Sequence, residues 1–103
     1  MNEITLIIPA KEEPNALPLV LNEIKEMNLP VNILVVMDKD DIDTYNATKK
    51  FDCDVLFQSK KGYGNAIVEG INSVETKYSC IFYADGSTDP AYIKLMLEKL
   101  ILK

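Results

Sequence analysis

Four short apolar runs divide the chain and predict the strands of one sheet. They are rich in Ile, Val, Leu and Phe and are nearly continuous rather than alternating with polar residues. This pattern is typical of strands that are covered on both faces. The predicted strands are Ile4–Pro9, Val31–Met37, Asp54–Phe57 and Ser79–Ala84.

Apolar residues at helical spacing fill the intervals between these runs. Asn15 is a candidate cap for the first helix, and Pro18 falls in its first turn, where a missing amide costs little. Acids precede the second helix and suit its N-terminus. Asp89 followed by Pro90 is a start signal for a fourth. The apolar positions are Leu17, Val20, Leu21, Ile24 and Met27, then Ile42, Tyr45 and Phe51, then Ile67, Ile71 and Val74, and finally Ile93, Met96, Leu97, Leu100 and Ile101.

The resulting order, strand and helix in alternation four times, predicts the fold class. Short connections between alternating elements imply parallel strands joined by right-handed crossovers. We therefore expect a three-layer α/β/α fold with a mostly parallel sheet of about four strands. The 103 residues, with no repeat or linker, suit one domain. Leu95 and Leu102 make the last helix apolar nearly all round, which predicts that further chain or another subunit covers it.

Composition and charge narrow the function classes. The formal net charge is −5 and the pI is near 4.6, which argues against nucleic acid as a partner. A nucleotide remains compatible when a divalent cation lies between its phosphates and the protein. No signal peptide is visible, and no apolar run approaches the roughly 18 residues of a membrane span. We expect a cytoplasmic location, with peripheral attachment to a membrane as an alternative, and free thiols at Cys53 and Cys80.

Charged residues follow every predicted strand. Ligands of open parallel sheets bind at the carboxyl ends of the strands, so these residues are the candidate site. Carboxylates follow three of the strands, and a Lys-Lys-Gly-Tyr-Gly turn follows the third. The candidates are Pro9, Ala10, Glu12 and Glu13 after the first strand, Asp38 and Asp40 after the second, Lys60, Lys61, Gly62 and Gly64 after the third, and Asp85, Gly86 and Asp89 after the fourth.

Most of these candidates also have a purely structural interpretation. The acids after the first two strands suit a solvated turn or a helix start, the lysines a solvated pair, and the glycines a turn. Asp89 suits a helix cap better than a ligand. Asp85 is the exception, because it directly follows an apolar run and precedes Gly86, which permits a tight turn.

A metal-bound diphosphate needs groups of these kinds. Mg²⁺ or Mn²⁺ takes oxygen ligands and usually keeps only one or two protein carboxylates. Asp85 is the candidate metal ligand, and Asp38 is a candidate acceptor of hydrogen bonds from a base or a ribose. Lys60, Lys61 and the amides of the following turn are candidates for contact with phosphate.

Four segments carry a resemblance to family 2 glycosyltransferases of the GT-A fold, including dolichyl-phosphate mannose synthase-like enzymes. Residues 5–13, ending in Pro-Ala-Lys-Glu-Glu, resemble the family's Pro-Ala-x-Asn-Glu strand end, and residues 33–38 resemble its strand ending in Asp-Asp. Residues 61–66 match its Lys-Gly-x-Gly-x-Ala turn, and residues 82–90 resemble its Asp-Ala-Asp-Gly-Ser-x-Asp-Pro signature. The four segments occur in order across nearly the whole chain.

The resemblance implies a Rossmann-like nucleotide-sugar domain that spans residues 1–103 and lacks the acceptor half of the family. It implies a UDP- or GDP-sugar donor, Mg²⁺ or Mn²⁺, and a sugar or lipid-phosphate acceptor. Asp85 would bind the metal and the diphosphate. The residues assigned to the donor are Pro9, Ala10, Glu12, Glu13, Asp38, Lys61, Gly64, Ala84, Asp85 and Gly86.

This sequence departs from the family pattern at three positions. Tyr83 replaces the first Asp of the signature, Met37 replaces one Asp of the Asp-Asp pair, and Glu12 replaces Asn. An inverting transferase also needs a base for the acceptor hydroxyl, and the chain offers no candidate, so no catalytic residue is assigned. In the family, roughly 100 further residues, about one domain, would supply this part.

Three functions follow as hypotheses. The first is the nucleotide-sugar-binding part of an inverting glycosyltransferase. The second is a binding or assembly module with a degenerate donor site, which would form an oligomer or a complex. The third is a nucleotidyltransferase, although residues 9–14 lack the glycine and arginine that such enzymes carry after the first strand. An unrelated flavodoxin-like domain is the remaining alternative.

Overall fold

The computed structural model of the protein describes residues 3–83. Four strands in this range form a parallel sheet in the order β3-β2-β1-β4. The elements are β1 (Ile4–Pro9), α1 (Ala16–Glu26), β2 (Val31–Met37), α2 (Ile42–Thr48), β3 (Asp54–Phe57), α3 (Tyr63–Ser73) and β4 (Tyr78–Ile81). The predicted three-layer α/β fold is confirmed.

Alternate residues of the strands face two separate helical layers. Leu6 and Ile8 of β1 pack into one core with the buried face of α1, whereas Ile7 packs into a second core with Val36 and Ala66 of α3. All six residues of β1 are buried. The nearly continuous apolar sequence of the central strands is thereby explained, because both of their faces are covered.

Helix α3 lies close to the sheet because it presents small residues to it. A Cβ atom added at Gly70 would lie 2.7 Å from Ile7 Cγ2 and 3.1 Å from Val36 Cγ2. Ile67, Ile71 and Val74 were the apolar positions that predicted this helix, but its buried residues are Ala66 and Gly70, and Ile71 is 48% exposed. Only small side chains fit at so short a distance.

Strand β4 differs from its predicted span of residues 79–84. It runs from Tyr78 to Ile81, and Phe82 and Tyr83 lie beyond its end. The Phe82 amide still donates to the Ile7 carbonyl at 2.9 Å. The next bond of a parallel ladder would come from the amide of residue 9, which is Pro9, so the pairing with β1 stops there.

The helix starts are only partly as predicted. Asn15 occupies the N-cap position of α1, but its side chain makes no capping hydrogen bond. Asp41 is the N-cap of α2 and accepts from the Thr44 amide. Ile42, one of the apolar positions that predicted this helix, is 64% exposed, whereas Thr44 is fully buried. The predicted fourth helix lies outside the described residues. None of the helices between residues 3 and 83 has the length and apolar content that a bilayer span requires.

Candidate functional site

A pocket of about 910 Å³ opens at the carboxyl edge of the sheet. Its volume falls in the range of small-molecule sites, and its position is the one at which open parallel sheets bind ligands. Residues that follow all four strands contribute to its wall. The described residues that line it are Pro9, Ala10, Lys11, Glu12, Glu13, Asp38, Asp40, Asp41, Ile42, Asp43, Gln58, Lys61, Gly62, Tyr63, Ala66 and Tyr83.

The segment after β1 is held in place by side chains at the start of α2. The Glu12 amide donates to Asp41 Oδ2 at 2.6 Å, and the Glu13 amide donates to Thr44 Oγ1 at 3.0 Å. Glu12 has a φ of 53°, which is uncommon for a residue with a Cβ atom. These two contacts fix the backbone in that conformation and direct the segment along the pocket.

Asp38 and Lys61 form an ion pair in the pocket wall. Lys61 Nζ lies 3.8 Å from Asp38 Oδ2, and the side chains are 82% and 30% exposed, respectively. The other oxygen, Asp38 Oδ1, accepts from the Asp40 amide at 3.2 Å. So exposed an ion pair is weak, and Lys61 can therefore reorient toward an anion in the pocket.

The side chains of Gln58 and Glu69 hold the turn that carries Lys61 through hydrogen bonds to its backbone. Gln58 Nε2 donates to the carbonyls of Lys60 and Gly62 at 2.7 and 3.1 Å. Glu69, one and a half turns into α3, accepts from the amide and hydroxyl of Ser59, both at 2.8 Å, and from the Lys60 amide at 3.2 Å. The hydrogen bond from the Ser59 amide is the main cause that lowers the pKa of Glu69 below its ordinary value of 4.5.

Two tyrosines form an uncharged part of the pocket wall. Tyr63 is the first residue of α3, and Tyr83 follows β4. Their ring centroids lie 6.2 Å apart and their planes differ by 11°. The rings are 51% and 43% exposed, and both line the pocket.

The architecture and the four motifs agree with one family. The model of glycosyl transferase family 2 matches residues 5–101, nearly the whole chain. The chain belongs to glycosyl transferase family 2. This result confirms the resemblance stated above at the level of the family, and the closer likeness to dolichyl-phosphate mannose synthases stays a prediction.

Relatives of this family 2 chain occur in mycobacteria. Uncharacterised glycosyltransferases of Mycobacterium tuberculosis (strain H37Rv) and Mycobacterium bovis are each 27% identical to it over 97 residues, which is 94% of this chain and 43% of the relative. The chain thus spans less than half the length of these relatives.

A solved structure shares the fold. It is glucosyl-3-phosphoglycerate synthase from Mycobacterium tuberculosis in complex with uridine diphosphate. The match has a TM-score of 0.81 and covers 99% of this chain and 41% of that chain at 15% sequence identity. The predicted Rossmann-like GT-A architecture is confirmed by this likeness.

Charge is distributed unevenly around the pocket of this family 2 chain. Six carboxylates but only two lysines lie among its described lining residues. Within residues 3–83, however, no three side chains of His, Cys, Asp or Glu lie close enough together to hold a metal ion. The predicted metal ligand, Asp85, lies outside this range.

Most of the predicted donor residues converge on the pocket. Its wall includes Pro9, Ala10, Glu12, Glu13, Asp38 and Lys61. Gly64 does not line it and lies in the first turn of α3. The predicted residues Ala84, Asp85 and Gly86 lie outside the described residues.

Several residues that shape the site were not assigned to it from the sequence. Thr44 and Glu69 act on backbone amides of neighbouring loops, and no local pattern marks such contacts. Gln58, Tyr63 and Tyr83 were visible as residues that follow strands or lie in the glycine turn. A search for every residue that follows a strand, whether charged or not, would have found these three residues.

Proposed function

We propose that the chain is the nucleotide-sugar-binding part of a family 2 glycosyltransferase and that the pocket at the carboxyl edge of the sheet receives the donor. The observation that supports this proposal most strongly is the convergence of Pro9, Ala10, Glu13, Asp38 and Lys61 on one pocket in a chain of this family. The structural neighbour was solved with uridine diphosphate, so UDP is the first nucleotide to test and GDP the second.

The chemistry of the wall suits the parts of a nucleoside diphosphate. Carboxylates such as Asp38 accept hydrogen bonds from ribose hydroxyls or from base N–H groups. Lys61 and the backbone amides at the start of α3 offer positive charge to a phosphate. The acceptor and the base that activates it are expected in a further part of a longer protein, since this chain spans less than half of its relatives.

Charge balance supports a divalent cation as part of the proposal. A diphosphate beside the six carboxylates and two lysines of the described lining residues would meet net repulsion. Mg²⁺ or Mn²⁺ held by Asp85 would supply the missing positive charge. The proposed contribution of this chain is to bind and orient the donor, so we assign no catalytic step to its residues.

A second candidate, an assembly module with a degenerate donor site, is favoured by one observation. Tyr83, which packs on Tyr63, occupies the position of a carboxylate in the family signature. Such a module would not need a donor, and it would form a stable complex with another subunit.

Calorimetric titration of the 103-residue chain distinguishes the two candidates. UDP, GDP and their sugar conjugates are titrated with Mn²⁺, with Mg²⁺ and with chelator. We expect saturable binding that depends on the metal and is weakened roughly ten- to hundredfold by Asp38→Asn, because a charged hydrogen-bond acceptor is lost. Asp85→Ala should remove the dependence on metal.

The matched control is Asp54→Asn, which removes a carboxylate at the amino end of β3, at the opposite edge of the sheet. This variant should bind like the wild type. If no nucleotide binds under any condition, the donor-site proposal is refuted. A stable oligomer in sedimentation would then support the assembly module.

A further inference from the structure

Side chains hold the backbone of the turn between β3 and α3 from the carbonyl side. Gln58 Nε2 donates to the carbonyls of Lys60 and Gly62 at 2.7 and 3.1 Å, and Asn65 Nδ2 donates to the Lys61 carbonyl at 2.8 Å. Gly62 has a φ of 108°, a conformation that favours glycine. The carbonyls of three successive residues are therefore fixed by two side-chain amides.

Glu69 holds the same turn from the amide side. Its Oε1 accepts from the amide and the hydroxyl of Ser59, both at 2.8 Å, and its Oε2 accepts from the Lys60 amide at 3.2 Å. Glu69 is not among the described residues that line the pocket, whereas Lys61 is. The carboxylate of Glu69 therefore fixes the backbone directly before a lysine of the pocket wall without lining the pocket itself.

We propose that Glu69 is a positioning residue for donor binding, which acts on the donor phosphates through Lys61. This inference rests on the proposed function, in which Lys61 offers its charge to the diphosphate, and adds the residue on which the placement of that charge depends. A lysine side chain loses much rotamer freedom when a ligand fixes it. A turn that is already held limits the region that the ammonium group can reach, and such preorganisation increases affinity.

The negative charge of Glu69 makes the direction of the effect informative. A carboxylate near a phosphate site repels the ligand, so removal of its charge alone would tighten UDP binding. Loss of positioning has the opposite effect. Glutamine has one acceptor oxygen and an NH₂ group that cannot accept, so Glu69→Gln cannot keep the contacts to both amides through two oxygens. We expect this variant to weaken UDP binding roughly two- to tenfold, the range of one ordinary hydrogen bond.

A double-mutant cycle tests whether the effect passes through Lys61. Calorimetric titration of UDP with Mn²⁺ compares the wild type, Glu69→Gln, Lys61→Met and the double variant. The loss caused by Glu69→Gln should shrink to less than about twofold when Lys61 is already methionine, because coupled residues are not additive. An equal loss in both backgrounds would show that Glu69 acts on the fold in general and would overturn its action through the lysine.

Glu75→Gln is the matched control. It removes the same charge just beyond the end of α3 and should leave UDP binding within about twofold of the wild type. Uridine, which carries no phosphate, should bind Glu69→Gln as it binds the wild type. An equal loss of uridine and UDP affinity would overturn an effect on the phosphates. Circular dichroism of every variant checks that the fold is retained.

Backbone amide signals give a readout that needs no donor. In ¹H–¹⁵N spectra, the signals of Ser59 and Lys60 should shift in Glu69→Gln, because both amides lose a charged acceptor, and should stay in place in Glu75→Gln. Unchanged signals would overturn the positioning role.

The titrations separate this inference from the proposed function. Wild-type binding of UDP combined with unchanged or tighter binding by Glu69→Gln would overturn the role of Glu69 but leave the donor site intact. A wild-type chain that binds neither UDP nor GDP would overturn this inference together with the proposed function.

Discussion

At the scale of single residues, Asp41 connects two segments of the site through its two carboxylate oxygens. Oδ1 accepts from the Thr44 amide at 3.4 Å and caps α2, and Oδ2 accepts from the Glu12 amide at 2.6 Å. Glu12 carries an unfavourable positive φ. Asp41 therefore stabilises both a helix start and the conformation of the segment after β1.

The variant Asp41→Ala tests this double role. Loss of an N-cap costs about 0.5–2 kcal/mol, so urea denaturation should show a lower free energy of unfolding. Asp43→Ala is the control, because Asp43 is an acid in the first turn of the same helix and lines the same pocket. A loss of stability in Asp43→Ala as large as that in Asp41→Ala would mean that charge, and not capping, matters at this helix start.

Glu69 gives a second residue-level prediction, which concerns pH. Its pKa is lowered in the folded chain, chiefly by the hydrogen bond from the Ser59 amide. The stabilisation that this carboxylate contributes is therefore complete above its ordinary pKa of 4.5 and is lost as the pH falls through the lower folded value. Thermal unfolding should show Glu69→Gln to be less stable than the wild type at neutral pH.

The difference between the wild type and Glu69→Gln should shrink toward zero in acid. Glu75→Gln, which removes the same charge just beyond the end of α3, is the control for net charge. A gap between the wild type and Glu69→Gln that stays constant from neutral pH into acid would contradict the proposed effect of these hydrogen bonds.

The sequence predicted the local roles of such residues better than their partners. Acids at the start of α2 were expected from the preference of helix N-termini for negative charge, and Asp41 is the cap. Its second partner, Glu12, lies 29 positions away. No sequence spacing encodes that contact, because it depends on how the segments after β1 and β2 meet at the sheet edge.

At the scale of elements, the position of α3 depends on a residue without a side chain. Gly70 allows the helix to approach Ile7 and Val36. We expect Gly70→Ala to lower the free energy of unfolding by about 1–3 kcal/mol, the usual cost of overpacking. This loss occurs although alanine is the better helix former.

Gly64→Ala is the control within the same helix. A Cβ at that position would have no atom within 4 Å, so only helix propensity changes, and the variant should be more stable by up to about 1 kcal/mol. Urea denaturation of both variants measures the contrast. Equal stabilisation of the two would show that α3 moves away from the sheet without cost.

The bounds of elements were predictable where sequence and pairing agree. The predicted spans of β1, β2 and β3 match the structure, because their apolar runs end where the strands end. In β4 the apolar run continues beyond the end of the strand. The pairing with β1 ends at Ile7 and Ile81, because Pro9 of β1 has no amide to donate the next hydrogen bond. The buried face of α3 does not follow from its apolar positions, because the small residues Ala66 and Gly70 are the ones buried against the sheet.

At the scale of the whole molecule, the two cysteines report on opposite edges of the sheet. Cys53 precedes the edge strand β3, and Cys80 lies in β4 at the other end of the described sheet. Both thiols are free. Burial is the main cause that raises the pKa of Cys53, and burial also raises that of Cys80.

Thiol labelling at neutral pH should therefore be slow in the folded chain. Burial lowers both the thiolate fraction and access, so we expect rates roughly tenfold or more below those in concentrated urea. The variants Cys53→Ser and Cys80→Ser each keep one thiol, so each labelling rate can be assigned to the β3 side or the β4 side of the sheet. Native rates equal to those of the unfolded chain would show that the edge in question opens freely.

The order of the strands has a kinetic consequence for ligand binding. Ile4 pairs with Val31, 27 positions away in the sequence, but also with Tyr78, 74 positions away. Closing the longer loop costs about 0.9 kcal/mol more in chain entropy, so β4 is expected to join the sheet last. The part of the pocket wall formed by Tyr63 and Tyr83 is completed only then, because Tyr83 follows β4. A bound nucleotide should consequently slow the unfolding of the chain while leaving its rate of folding almost unchanged.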